Sequence, residues 1–161
     1  MFRLHCTRKL LDRLNRKPID ETGFPSTSAL GNWYATALFW RPQVALFVNE
    51  RTLLPVLMPL APVITLTTRF PAALAAALQS HGWSDAQIAA EMQHMRECEI
   101  DKTANRSVIG MLNEFTFLAQ AWREQHGPLD LQALSMRLAD VPCGPLHYGS
   151  PAQLVQTIAR N

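Results

Sequence analysis

No run of 18 or more apolar residues occurs in the chain, so no segment reads as a membrane-spanning helix. The basic N-terminal stretch lacks both the continuous apolar core and the small-residue cleavage site of a secretory leader. Cysteine is scarce: Cys6, Cys98 and Cys143 are odd in number and far apart, which argues against a disulfide framework and for reduced thiols in a cytoplasm. Charged residues make up only 17% of the chain against 48% hydrophobic, the balance of a lightly charged globular protein rather than a disordered one. Internal repeats, low-complexity tracts, phosphate-binding glycine loops, dinucleotide fingerprints, nucleophile elbows and paired-histidine zinc motifs are all missing.

What is present fits one domain over 1–161, long enough to bury a core. The formal charge of +2 conceals an asymmetry. Residues 1–17 hold six cations against Asp12 alone, a local +5, which leaves −3 in the rest of the chain. A basic end on an acidic body suits contact with nucleic acid, or docking of that end on its own body.

The stretch from Cys98 to Phe115 organises the reading. From Val108 onward, Val108, Leu112, Phe115, Leu118 and Trp122 recur at helical spacing, flanked by Ile109, Met111 and Ala119. Thr103 or Asn105 caps that helix and Gly127-Pro128 ends it. Arg106 and Ser107 then fall in its first turn, where free amides and the helix dipole favour an anion. Two readings compete: an anion pocket, or a capped helix whose Arg106 pairs with Glu99, Asp101 or Glu114.

Along the chain, residues 2–6 predict a short strand, and Thr7 opens a helix with Leu10, Leu11 and Leu14 inward. Residues 16–31, rich in Pro, Gly, Ser and Thr, predict a long loop. The apolar runs 32–40 and 44–48 around Arg41-Pro42-Gln43 predict a hairpin with Trp33 and Trp40 in the core. Asn49 is expected to cap a short helix reaching Met58; residues 63–68 satisfy both strand and helix patterns. Residues 70–80 predict a helix with Pro71 at its start, and Ser84 with Gln87 forms a capping box for the next, whose inward stripe is Ile88, Met92 and Met95. Asp130 caps a helix to Leu138, and 142–161 reads as a peripheral turn-rich segment ending in a helix after Ser150-Pro151. The fold class expected is α+β, a small, mostly antiparallel sheet against several helices.

The chemistry tested narrows the options. Glu91, His94 and Cys98 share a helical spacing that could face a metal, but such triplets arise often by chance, and no metal or cofactor is assigned. His5 and Cys6 are adjacent in a strand and point to opposite faces, which excludes a thiol–imidazole pair and leaves Cys6 as a buried structural thiol. What remains is a set of polar residues expected just beyond strand ends: Thr7, Lys9, Asn49, Asn105, Arg106, Ser107 and Asn113. Lys9 and Arg106 suit phosphate, and the Asn and Ser side chains suit its orientation. No His or isolated carboxylate joins them as a base, which favours binding over catalysis.

Leu4-His5-Cys6-Thr7 with Lys9-Leu10-Leu11, Asn32-Trp33-x-Ala35, Leu46-Phe47-Val48-Asn49-Glu50 with Thr52-Leu53, and Asn105-Arg106-Ser107-Val108-Ile109-Gly110 through Asn113-Glu114-Phe115 resemble an uncharacterised family of small bacterial proteins. The resemblance covers most of residues 2–118, and the tail beyond Pro142 lies outside it. It lends no catalytic roles; it implies that the polar positions above recur together. The functional expectation is a phosphate-bearing ligand, nucleic acid or a nucleotide. The alternative is docking to another protein chain in a defence, mobile-element or toxin–antitoxin setting, and a phosphodiester-cleaving enzyme ranks third. Thermal melts of the protein with and without reductant should coincide; a large drop on reduction would contradict the thiol assignment.

Overall fold

A computed structural model describes residues 1–18, 26–128 and 130–161, so part of the expected loop 16–31 lies outside the described residues. The chain runs β1 (Phe2–Cys6), α1 (Arg8–Leu14), β2 (Trp33–Leu38), β3 (Val44–Asn49) and β4 (Pro55–Pro59). After a 3-10 turn (Val63–Thr65) follow α2 (Leu66–Ser80), α3 (Asp85–Gln93) and β5 (Cys98–Lys102). Then come α4 (Arg106–His126), α5 (Leu131–Ala139), a second 3-10 turn (Gly144–Leu146) and α6 (Pro151–Arg160).

The strands form one sheet in the order β4-β3-β2-β1-β5. The fold is α+β as expected, but the sheet is mixed. β2–β3 and β3–β4 are antiparallel, whereas β1 pairs in parallel with both β2 and β5. The reason lies in the connections. Chain segments containing whole helices separate β1 from β2 and β4 from β5, and such segments carry the chain back to start a parallel strand. The predicted hairpin holds, and both its strands are buried along their full length.

Strand alternation divides the core. Phe2, Leu4, Cys6, Trp33, Phe47, Val56 and Ile100 face one side, where α1, α2, α3 and α6 pack. Tyr34, Leu46, Val48 and Leu57 face the other, beneath α4 and α5. On the first side Phe70 stacks on Phe47 at 4.0 Å and meets Trp33 edge-on at 5.0 Å. On the second, α4 buries Val108, Met111, Leu112, Phe115 and Ala119, while Leu118 and Trp122, the last two of the stripe read from the sequence, are only half-buried.

Four local expectations are corrected. Residues 55–58 are strand β4, not helix, because Asn49 closes a tight turn in place of capping. Its Oδ1 accepts from the amides of Arg51 and Thr52 and from the Thr52 hydroxyl at 2.9–3.1 Å, while Leu53 takes φ +60°. β4 is an edge strand with little to offer a further strand. Leu54 bonds to Asn49 at the end of β3 and Leu60 to Gln43 just before it, so the backbone of Pro55, Leu57 and Pro59 turns outward. The prolines lack an amide, and the Leu57 amide donates to Ser135 Oγ at 2.8 Å.

Helix α2 starts at Leu66, and Pro71 sits inside it. The ambiguous 63–68 stretch is thus a 3-10 turn running into helix, and Arg69 ties it to the preceding loop through the carbonyls of Pro59, Leu60 and Pro62 at 2.9–3.1 Å. The C-terminal segment also packs inward. Cys143, Ala152 and Val155 are buried, and the Trp83 indole donates to the Val155 carbonyl at 3.0 Å. Trp33 is core as expected, while Trp40 is only half-buried, under the Arg123 guanidinium at 4.7 Å.

Phe115 is fully buried between α4 and the sheet. Phe115→Ala should therefore destabilise the protein by about 3–5 kcal/mol, measured by denaturant unfolding. An unchanged midpoint would contradict this core assignment.

Candidate basic site at the end of the parallel strands

Because β1, β2 and β5 run the same way, their C-terminal ends share one rim of the sheet. The chain leaving this rim carries Thr7 and the first turn of α1 with Lys9 after β1, and Thr103 to Asn105 and the first turn of α4 with Arg106 and Ser107 after β5. Thr7 precedes α1, but its hydroxyl bonds to Thr36 Oγ1 at 2.8 Å and makes no cap. Asn105 caps α4, its Oδ1 accepting from Ser107 and Val108 at 3.0 and 3.3 Å. The Asn105 amide donates to the Tyr34 hydroxyl at 3.0 Å, which fixes the start of α4 over β2.

The predicted set separates into two groups. Thr7, Lys9, Asn105, Arg106 and Ser107 belong to this rim, and Lys9, Arg106 and Ser107 are exposed there. Asn113 lies on the exposed side of α4, two turns further along. Asn49 leaves the set. It is fully buried in the turn after β3, and its Nδ2 donates to the carbonyls of Leu30 and Asn32 at 2.9 and 3.2 Å. Every polar atom of its side chain is engaged, so it holds the β3–β4 turn and has nothing left for a ligand.

The ion pair considered for Arg106 does not form. Glu99 and Asp101 pair with Arg3 at 3.4 and 3.7 Å, and no carboxylate lies within 4.0 Å of Arg106 among the described residues. The metal triplet also disperses. The buried Glu91 carboxylate accepts from the amides of Ala29 and Leu30, His94 bonds to Thr27 Oγ1, and Cys98 belongs to β5. Among the described residues no group of three metal-ligating side chains is disposed around a common point.

A cavity of about 690 Å³ opens at the rim, on the face that α1 covers. Among the described residues, Cys6, Leu11, Asn15 and Thr103 line it together with four cations, Arg8, Arg16, Lys17 and Lys102, and one carboxylate, Asp12. At its base the Cys6 thiol is pushed above its ordinary range by burial and by the neighbouring Cys98, with Arg16 opposing. Burial likewise raises Cys98 to about 12 and Cys143 to about 11. All three thiols are therefore protonated and poorly nucleophilic at neutral pH, so the cavity's chemistry is that of its cations.

Sequence reasoning missed Arg8, Arg16, Lys17 and Lys102 as a set. The excess charge of residues 1–17 was the available signal, but Lys102 joins them only through the parallel β1–β5 pairing.

The family described as a domain of unknown function (DUF6933) matches residues 3–154. The match extends past Pro142, so the C-terminal segment is part of what the family shares, contrary to the shorter resemblance read from the sequence. No curated protein and no solved structure matches the chain.

Two substitutions separate scaffold from surface. Asn49→Ala should cost on the order of 3 kcal/mol through the buried amides and carbonyls it strands. Arg106→Ala should leave the unfolding midpoint unchanged, since no buried partner loses its charge. Denaturant unfolding of both variants checks the pair, and the reverse order of effects would contradict these placements.

Proposed function

The chain belongs to the DUF6933 family, and we propose that it binds a phosphate-bearing ligand, single-stranded nucleic acid fitting best, in the basic cavity at the ends of β1 and β5. The observation that carries this reading is the cavity lining, which among the described residues sets four cations against one carboxylate in about 690 Å³. Phosphate oxygens offer the charge and acceptor geometry that Arg and Lys side chains recognise. Exposed Lys9, Arg13 and Arg106 extend the positive field beyond the cavity, which suits a strand with several phosphates better than a lone nucleotide. Three free thiols suit the reducing cytoplasm, where such a ligand is at hand. Among the described residues no helix is long and apolar enough to cross a membrane. A protein partner is the weaker reading, because among the described residues the large exposed apolar side chains Phe39, Ile64, Phe117 and Tyr148 are carried by four different segments.

The test is titration of a fluorescently labelled single-stranded oligonucleotide at several salt concentrations. Four neutralised phosphates imply a slope of about −2.8 in log K against log salt, roughly a 50-fold loss between about 50 and 200 mM. Arg16→Ala and Lys102→Ala should each weaken binding and reduce that slope by about 0.7, with melting temperature nearly unchanged. Binding that ignores salt, or that survives both substitutions, would refute the site.

A further inference from the structure

The second face of the sheet is covered unevenly. Helices α4 and α5 pack on β2, β3 and β4, whereas β1 and β5 turn Arg3, His5, Glu99 and Asp101 to this side, opposite their core residues Leu4, Cys6, Cys98 and Ile100. Arg3 engages both carboxylates. His5 is the group with bonding capacity to spare. Its Nδ1 lies 2.9 Å from the Lys102 carbonyl oxygen. A carbonyl only accepts, so Nδ1 carries the proton and the neutral ring keeps its lone pair on Nε2. Nε2 has no partner among the described residues and is not one of the buried polar atoms. The ring plane is held by stacking on Tyr34, with centroids 4.6 Å apart and 24° between planes. Tyr34 is held in turn by the Asn105 amide at the start of α4. One imidazole is thus fixed in tautomer and orientation, with its basic nitrogen accessible.

We propose that His5 is a general base for RNA cleavage, removing the proton from a ribose 2′-hydroxyl of the strand bound at the cavity. This rests on the nucleic-acid reading above. RNA carries its own nucleophile beside each phosphorus, so one base and a set of cations provide the chemistry for cleavage. Lys102 links the two places: it lines the cavity on one face, and its carbonyl holds His5 on the other. A strand bending over the ends of β1 and β5 meets both. In the step, the 2′-hydroxyl proton passes to His5 Nε2 and the 2′-oxygen bonds to the adjacent phosphorus. The bond from phosphorus to the 5′-oxygen breaks, and that oxygen takes a proton from water. The hydroxide formed removes the proton from His5, restoring the base. The products are a 2′,3′-cyclic phosphate and a 5′-hydroxyl. Arg106, exposed on the first turn of α4 beside Asn105, supplies positive charge on this side for the phosphate oxygens.

The experiment incubates the full chain with a single-stranded RNA, the DNA of the same sequence, and the RNA with one 2′-deoxy position, measuring affinity and products in parallel. The wild type should cut RNA to fragments ending in cyclic phosphate, leave DNA intact though bound, and spare the bond beside the 2′-deoxy residue. His5→Gln and His5→Asn, whose amides still donate to a carbonyl, should lose about 100-fold or more in rate. Both should keep the affinity and melting temperature of the wild type. RNA bound but never cut, or cut equally well by both variants, would overturn the role of His5 and leave the binding site standing. Failure to bind either RNA or DNA would overturn the cavity reading and the His5 role with it.

Discussion

Parallel pairing of β1 with a strand on each side is the constraint on which the rest of the structure depends. It buries β1 in the interior of the sheet, so its side chains must alternate between a packed face and a second face. Phe2, Leu4 and Cys6 take the first, Arg3 and His5 the second. It also aligns the ends of β1, β2 and β5, which gathers residues 8–17 and 102–107 at one rim across nearly ninety positions of chain. An antiparallel β5 would deliver Lys102 and Asn105 to the opposite rim and dismantle the cavity.

The elements that local chemistry specifies were legible in the sequence. The α4 stripe from Val108 to Ala119, the Asn105 cap, the Ser84 capping box and the hairpin around Pro42 each follow from residues close together in the chain. The partner of β1 was not legible, because which strands pair depends on how the intervening helices pack, which no short window contains. Residues 49–59 failed for a different reason. Asn49 has the chemistry of a helix cap and of a turn, and the choice is made by the carbonyls of Leu30 and Asn32, which reach it only in the folded state.

The candidate site shows the same division. Residue type correctly marked Thr7, Asn105, Arg106 and Ser107 as polar groups beyond strand ends, and strand alternation separated His5 from Cys6. Type alone also recruited Asn49, whose side chain is wholly occupied in the β3–β4 turn, and passed over Lys102, whose place in the cavity lining comes from its register with Cys6. On the β5 side Arg3 engages both Glu99 and Asp101, which leaves neither of them to pair with Arg106.

The central claim is that this rim binds phosphate. Amide chemical-shift mapping by NMR during titration with a short single-stranded RNA tests it most directly. The account predicts that shifts concentrate at Arg8, Arg16, Lys17, Lys102, Thr103 and the first turn of α4, with the Asn49 turn and α6 unmoved. Shifts confined to α5, α6 or the β4 edge, or none at all at saturating RNA, would contradict it.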